Sequence, residues 1–166
     1  MQAEAAEISR ITVPSPLGPL TVTAGPAGIS ALDWGERRAP GPASPLLAEA
    51  ARQLEAYFAD GRFRFDLPLA PAGSEFQRAV WDYMLAIPAG ETRSYGDCAG
   101  AIDGIARAVG SACGANPIPV IIPCHRILAA GNRPGGYSGL GGLATKRWLL
   151  EHEGAWLPER QGSLFG

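Results

Sequence analysis

The chain has 166 residues, of which 46% are hydrophobic and 18% charged, enough apolar content for one packed domain or two small ones. This composition excludes a disordered or fibrous chain. The net charge of −2 and the pI of about 5.7 argue against a protein that holds nucleic acid mainly by bulk electrostatics. The polar, acidic beginning lacks an apolar leader and no stretch has the length of a membrane span, so we expect a cytoplasmic protein.

The cysteines and histidines are too few and too scattered for a metal site or a disulfide framework. Cys98, Cys113 and Cys124 are an odd number without a Cys-x-x-Cys pair, and only His125 and His152 accompany them. We therefore expect no metal and no cofactor. Cys98 and Cys113 are assigned to core packing, since free cysteine is among the most buried residue types.

The first part of the chain predicts a small antiparallel β-meander and then one helix. Residues 8–34 contain stretches of alternating apolar and polar residues, typical of strands, separated by Pro/Gly turns at 14–19 and 25–28. Ser44 and Pro45 mark a helix start. The helix has one predicted apolar face and a closing glycine, namely Leu47, Ala51, Leu54 and Phe58 with Gly61.

An extended connection is predicted to join two domains. Apolar residues alternate from Phe63 to Leu69, but Pro68 disfavours a central strand. We interpret 67–73 as the linker, which places an N-terminal domain at 1–70 and a C-terminal domain at 71–154.

The second half predicts a helix and then a helix-turn-helix. Ser74 and Gln77 form a capping-box pattern before an apolar helical stripe that runs to Ile87. Ser94 caps the next predicted helix, and a turn at 103–104 leads into another over 105–115. The inward residues of that last helix are predicted to be Ile105, Val109, Ala112 and Cys113.

The last of these helices carries one long polar side chain, Arg107, among small residues. A helix that reads base edges carries several such side chains, so this composition favours close approach to a duplex over reading its sequence. The small residues are Ala106, Ala108, Gly110, Ser111, Ala112 and Gly114. The alternative is a tightly packed interior helix with a solvated arginine.

The most informative segment runs Asn116-Pro117-Ile118-Pro119-Val120-Ile121-Ile122-Pro123-Cys124-His125-Arg126. Its apolar middle predicts an extended segment that delivers Cys124 to the lip of a pocket. His125 is the side chain best able to take a thiol proton near neutral pH, so the pair predicts a nucleophile and its base. The alternative is an inert core cysteine beside a surface histidine.

This segment closely resembles the active-site signature of the O6-alkylguanine-DNA alkyltransferases, which transfer an alkyl group from guanine in DNA to their own cysteine. The resemblance covers 76–154 almost completely and the first half more loosely. It implies an α/β, ribonuclease-H-like N-terminal domain followed by a winged-helix-like, mainly α domain with a helix-turn-helix. It also implies direct DNA repair in a single-turnover suicide reaction, by a monomer acting on duplex DNA that contains O6-alkylguanine.

The resemblance implies a role for each matching residue. Cys124 is the nucleophile, His125 its base and Glu153 the carboxylate that orients the histidine. Arg107 is the finger that replaces the flipped nucleotide, and Tyr95 rotates the phosphate and donates to the base. Other DNA contacts fall at Ala106, Ala108, Gly110 and Ser111, and the substrate pocket at Asn116, Pro119, Tyr137 and Ser138.

The matching family segments differ from this chain in two intervals. The stretch from Tyr95 to Arg107 is about two residues shorter than in the family form, and the loop at 140–143 is about two residues longer. Two other functions remain open. A non-catalytic lesion-binding relative would lack Cys124, whereas a cysteine hydrolase would not need a helix-turn-helix with a lone arginine.

The C-terminal tail, 155–166, has no amphipathic period. Gln161-Gly162-Ser163-Leu164-Phe165 is similar to the pentapeptide with which bacterial replication and repair proteins dock on the sliding clamp. An extended peptide of this kind places Leu164 and Phe165 in a groove while Gln161 binds at its rim. The alternative is that both apolar residues pack on the protein's own surface.

Overall fold

The computed structural model describes residues 8–37, 44–129, 135–137 and 141–155. The predicted meander is confirmed as a three-stranded antiparallel sheet in the order β1-β2-β3. Its strands are β1 (Ser9–Val13), β2 (Leu20–Gly25) and β3 (Gly28–Trp34). Alternate residues such as Val22 and Leu32 are paired across the sheet and buried, so one face of the sheet forms part of the core.

The predicted helix after the sheet is α1 (Pro45–Ala59). Its N-cap is Ser44, whose side chain accepts from the Leu47 N–H at 3.2 Å, and Pro45 occupies the first turn. Its buried face differs from the predicted one, because Ala50 and Tyr57 are buried where Ala51 and Phe58 are only half-buried.

Gly61 does not close α1, so that prediction was wrong. The helix ends at Ala59 with Asp60 in an extended conformation, and Gly61 has no left-handed φ. Gly61 instead lies against the backbone of His152 and Glu153, where a Cβ would overlap the His152 carbonyl. The glycine permits a close approach between the segment after α1 and the backbone at residues 152–153.

The connection after α1 is irregular, as Pro68 predicts, but it contacts the sheet. The Ile29 N–H donates to the Pro68 carbonyl at 2.8 Å, and the Ala70 N–H donates to the Ile29 carbonyl at 2.7 Å. Further along the same edge of β3, the Leu32 N–H donates to the Pro117 carbonyl at 2.9 Å. The edge of β3 is therefore bonded directly to the segment that leads to Cys124.

The predicted helices of the second half are confirmed. They are α2 (Glu75–Leu85), α3 (Tyr95–Ala101) and α4 (Ala106–Gly114). The capping box of Ser74 and Gln77 is present, and Ser94 caps α3 with a second box through Asp97. The indole of Trp81 donates to the Ala112 carbonyl at 2.9 Å and holds α4 against α2.

Ile105 does not point inward, so that part of the prediction was wrong. It is the extended N-cap residue of α4 and is 66% exposed, whereas Val109 and Ala112 are buried. The helix begins at Ala106, one residue later than the apolar spacing suggests, after a turn in which Asp103 has φ 59.

The segment before Cys124 is not extended, which corrects the prediction. Residues 118–122 form a compact loop in which the Ile122 N–H donates to the Ile118 carbonyl at 2.8 Å. Val120 has φ 74, a conformation that a β-branched residue rarely adopts. A run of β-branched residues reads as a strand, but the side chain of Asn116 bonds both ends of the loop and overrides that propensity.

The chain then makes a 3₁₀ turn at Cys124–Arg126 and continues into β5 (Ile127–Leu128). This short strand pairs in parallel with β4 (Arg93–Ser94), which directly precedes Tyr95. The last helix is α5 (Leu143–His152), and Glu153 is its C-cap residue. The parallel pair thus brings the beginning of the helix-turn-helix beside Cys124. Among the residues that the structure places, no helix is long and apolar enough to cross a membrane.

Candidate active site

Three side chains from two parts of the chain meet at the carboxylate of Glu153, which is fully buried. Tyr57 of α1 donates its hydroxyl to Oε2 at 2.6 Å, and Nε2 of His125 lies 2.7 Å from the same oxygen. Arg126 binds in a bidentate manner, through Nε at 2.8 Å and Nη2 at 3.0 Å. The remaining Nη1 of Arg126 donates to the Ile87 carbonyl.

The charges of this network determine the protonation state and the tautomer of His125. Burial alone would raise the pKa of Glu153, but His125 and Arg126 outweigh it and lower that pKa to about 2. Burial lowers the pKa of His125, so the ring is neutral near pH 7. An ionised carboxylate accepts only, and the ring therefore carries its proton on Nε2.

Nδ1 of His125 is consequently the basic nitrogen. It is buried, and it has no hydrogen-bond partner among the described residues. The thiol of Cys124 is also buried, with 7% exposure, and burial raises its pKa. A thiol in this environment is protonated at neutral pH and needs a base to become a nucleophile.

Cys124 lies between two cavities. The first, of about 320 Å³, is enclosed by the helix-turn-helix and the 135–137 segment, and we call it the base cavity. Its lining residues are Tyr95, Gly110, Cys113, Gly114, Cys124, Gly136 and Tyr137. The second, of about 200 Å³, lies on the side of β3 and is called the β3 chamber.

The exposed face of α4 borders the base cavity and is formed by small residues around Arg107. Ala106, Arg107 and Ser111 are exposed, and Ala108 and Gly110 are half-buried. A Cβ added at Gly110 or Gly114 would meet nothing within 4 Å. These glycines therefore face open space, and packing within the protein does not require them. The arrangement disfavours the alternative of a tightly packed interior helix.

Two family models match this chain. The ribonuclease-like domain of 6-O-methylguanine DNA methyltransferase matches residues 8–71, and the DNA binding domain of the same protein matches residues 75–155. The chain belongs to the 6-O-methylguanine DNA methyltransferase family. The predicted fold class, a ribonuclease-like domain followed by a DNA-binding domain, is confirmed.

Similar curated proteins and solved structures agree with this family. A methylated-DNA–protein-cysteine methyltransferase of Methanosarcina acetivorans is 41% identical over 150 residues, which cover 85% of this chain and 95% of that protein. The enzyme of the same name from Mycobacterium tuberculosis is 43% identical over 152 residues, which cover 86% of this chain and 90% of that protein. The structure of M. tuberculosis OGT in complex with DNA has a TM-score of 0.76 at 45% identity, covering 87% of this chain and 91% of that chain.

Within this methyltransferase fold, Asn116 ties α4 to the loop before Cys124. Its Nδ2 donates to the Ile122 carbonyl at 2.8 Å, and its Oδ1 accepts from the Ile118 N–H at 2.9 Å. Pro119 lines the β3 chamber, and Tyr137 stands between the two cavities. Ser138 lies outside the described residues, as do Gln161, Leu164 and Phe165 of the tail.

Sequence reasoning missed three residues of the methyltransferase site. Tyr57 and Arg126 hold Glu153, and Lys146 is buried with its Nζ 2.7 Å from the Ile127 carbonyl and 3.1 Å from the Gly136 carbonyl. Burial lowers the pKa of Lys146 to about 8. Arg126 could have been found, because it directly follows His125 in the recognised motif.

Cys113 lines both cavities, which differs from the simple core position predicted for it. Burial raises its pKa to about 12, so its thiol is protonated at neutral pH. Cys98 is fully buried, as predicted.

Proposed function

We propose that this chain repairs O6-alkylguanine in duplex DNA by transferring the alkyl group to Cys124. The observation that carries the proposal is the geometry around that thiol. A buried Cys124 lines a cavity that opens beneath the helix-turn-helix, and a neutral His125 beside it is held by an ionised Glu153. The structure of a relative in complex with DNA supports DNA as the partner.

DNA approaches the open face of α4. Ala106, Ala108, Gly110 and Ser111 allow the helix backbone to come close to the duplex, and Arg107 enters the space that the extruded nucleotide leaves. The flipped guanine occupies the base cavity. Tyr95, a half-buried phenol that lines this cavity, rotates the phosphate and contacts the base.

The reaction is a displacement at the alkyl carbon. The sulfur of Cys124 forms the new S–C bond while the C–O6 bond breaks, and the electron pair stays on guanine. Nδ1 of His125 takes the thiol proton, directly or through one water molecule, and Glu153 stabilises the imidazolium that results. Guanine gains one proton from Tyr95, which recovers it from solvent, and the imidazolium of His125 later releases the thiol proton to solvent. Burial raises the pKa of Tyr95, which keeps its phenol protonated as a donor.

We propose that the neighbouring residues position the reacting groups. Arg126 and Tyr57 fix the two oxygens of Glu153, so the carboxylate presents one orientation to the imidazole. Asn116 holds the loop before Cys124, while Pro119, Tyr137 and Ser138 form the pocket. The product is a thioether, which water does not cleave, and each molecule therefore acts once.

The stoichiometry of repair tests this proposal. Excess oligonucleotide with one O6-methylguanine is mixed with the protein, and restored guanine is measured by chromatography after digestion. We expect a plateau at one guanine per protein molecule. Cys124→Ser should restore none, and Cys98→Ala should keep the plateau because Cys98 lines neither cavity. Continued release beyond one equivalent would identify a hydrolase instead.

The tail adds a second proposed partner, the bacterial sliding clamp. The similarity of Gln161, Leu164 and Phe165 to the clamp-docking pentapeptide supports it, and docking would compensate for weak electrostatic binding at pI 5.7. A titration against a bacterial clamp should show binding by the full chain and none after removal of 161–166. A chain with Leu164→Ala and Phe165→Ala should behave like the truncated one, and unchanged affinity would exclude the docking.

We also propose that the protein acts as a monomer in the cytoplasm. All three cysteines are free, which suits a reducing compartment. Light scattering with and without DNA should give the mass of one chain, about 17.3 kDa for the free protein. A dimer mass would contradict the monomer.

A further inference from the structure

The β3 chamber is a second space beside the nucleophile, and it is built mostly from residues that the base cavity lacks. Its additional walls are Leu32, Asp33 and Trp34 from β3, and Asn116, Pro117 and Pro119 from the loop before Cys124. Among the residues that the structure describes, the two cavities share only Cys113, Cys124 and Tyr137. Whatever occupies the chamber therefore meets the sulfur on the side of the N-terminal domain.

The wall from β3 is fixed in place relative to the thiol. Leu32 is buried, and its N–H donates to the Pro117 carbonyl at 2.9 Å. Asn116, the residue before that proline, binds the loop that leads to Cys124. The backbone hydrogen bond between Leu32 and Pro117 thus sets the distance between the chamber wall and Cys124. This distance does not depend on the flexibility of side chains.

The volume of the chamber matches an organic substituent. The chamber holds about 200 Å³, and a protein cavity of about 150 Å³ is enough to bind benzene. The flipped base occupies the base cavity, because that is the cavity beneath α4 and Tyr95. The reacting carbon must touch Sγ of Cys124, and Cys124 also lines the β3 chamber, so that chamber is the adjoining space open to the rest of an alkyl group larger than methyl.

Asp33 gives this chamber a charge. It lies in β3 between Leu32 and Trp34, is half-buried and lines the chamber beside apolar walls. The ammonium of Lys146 is directed elsewhere, to the carbonyls of Ile127 and Gly136, and it does not line the chamber. A carboxylate at a half-buried wall repels an anionic substituent and tolerates a neutral or cationic one.

We propose that the β3 chamber receives the distal part of bulky alkyl groups and that Asp33, on the N-terminal domain, selects against substituents with a negative charge. This inference rests on alkyl transfer to Cys124 and assigns the N-terminal domain a direct part in substrate selection. Methyl groups are too small to extend into the chamber. Specificity for larger groups is therefore set by residues outside the helix-turn-helix.

The test compares two guanine lesions that differ in charge and hardly in shape. Oligonucleotides with O6-carboxymethylguanine (anionic) and O6-carbamoylmethylguanine (neutral) are each reacted with the protein under single-turnover conditions. The readout is the ratio of the two rates, which cancels effects on DNA binding and on the thiol. In Asp33→Asn we expect the anionic lesion to gain about three- to tenfold relative to the neutral one, the effect of one unit charge at a partly exposed site.

The matched control removes one negative charge at a position outside the chamber. Glu36 is exposed and does not line the chamber, so Glu36→Gln should leave the ratio as in the unaltered protein. Asp33→Lys should move the ratio further in the same direction as Asp33→Asn. An equal ratio in Asp33→Asn and the unaltered protein, or an equal change in Glu36→Gln, would overturn the inference. Failure to demethylate O6-methylguanine at all would instead refute alkyl transfer itself.

Discussion

At the scale of single residues, the site depends on a buried carboxylate with three donor side chains. Removing one partner of a buried charge network leaves the others uncompensated, which costs more than the network contributes in net stability. The hydrogen bonds from Arg126 and His125 hold Glu153 in the ionised form, and burial keeps His125 neutral beside it. The proposed base, His125, therefore has its protonation state and its orientation determined before substrate arrives.

Glu153→Gln should slow alkylation and move the reactive range of Cys124 to higher pH. The amide keeps the shape but cannot stabilise an imidazolium, so we expect a rate about 10- to 100-fold lower at neutral pH. DNA affinity should change little. The measurement is the alkylation rate against pH with an O6-methylguanine duplex, and a curve that does not move along the pH axis would remove Glu153 as the orienting group.

The same carboxylate should make stability depend on acid. Its pKa is lowered from 4.5 to about 2 in the folded chain, so its contribution is fully present above about pH 4.5 and is lost as the pH falls towards 2. We expect Glu153→Gln to be about 3 kcal/mol less stable at neutral pH. Denaturant unfolding should show that gap closing between pH 4.5 and 2, and a constant gap would contradict the assignment.

Some residues of the site could be predicted from sequence and others could not, for physical reasons. A sequence motif can include Cys124, His125 and Arg126, because these residues are consecutive in the chain. Tyr57 is 96 residues from Glu153 and sits on an apolar helix face, where it reads as an ordinary core aromatic. Lys146 reads as a surface residue of an amphipathic helix, and only the fold shows that two backbone carbonyls bind it.

At the scale of elements, local signals predicted where helices begin but not how the apolar loop before Cys124 is shaped. The capping residues Ser44, Ser74 and Ser94 accept hydrogen bonds from N–H groups three residues further along the chain. Both partners therefore appear in one short stretch of sequence. Residues 118–122 are shaped by Asn116 and by prolines, against the β propensity of their own side chains.

Arg107→Ala should weaken repair of duplex DNA far more than reaction with free O6-benzylguanine. The proposed finger stabilises the extruded base, whereas the free base needs no extrusion, and we expect about a 10- to 100-fold loss on duplex alone. Arg78→Ala removes one exposed charge from α2 and is the control for net charge. Equal losses on both substrates, or equal losses in the control, would exclude the finger.

Gly110→Ala should separate protein stability from DNA binding. A Cβ there meets nothing within 4 Å, so the helix should gain about 0.5–1 kcal/mol. The same methyl group lies on the face that we propose approaches DNA, where overpacking costs about 1–3 kcal/mol. We expect a higher Tm and weaker duplex binding.

Gly100→Ala on α3 is the control for this variant, because its Cβ is equally unobstructed. It should raise Tm without loss of DNA affinity. Undiminished duplex binding by Gly110→Ala would show that α4 does not press on the DNA.

At the scale of the whole molecule, the N-terminal domain supports the chemistry of the C-terminal one. Tyr57 reaches Glu153, the Tyr57 carbonyl pairs with Nε2 of His152 at 2.7 Å, and Gly61 lies against the same turn. The family models divide the chain between residues 71 and 75, yet the hydrogen-bond network around Glu153 extends across that division.

Gly61→Ala should therefore impair alkylation from a distance. The added Cβ overlaps the His152 carbonyl, so the turn that carries Glu153 must shift, with a cost of about 1–3 kcal/mol. Rate and unfolding free energy are measured together. Gly25→Ala in the same domain meets no atom within 4 Å and should affect neither. A normal rate in folded Gly61→Ala would show that the domains act independently.

The central claim is that the alkyl group ends on Cys124, and intact mass with peptide mapping tests it most directly. After reaction with an O6-methylguanine duplex, we expect one added methyl, about 14 Da, located on the peptide that contains Cys124, with unmodified guanine restored in the DNA. An unchanged protein mass while repaired DNA accumulates, or a methyl group found on Cys113, would contradict the account.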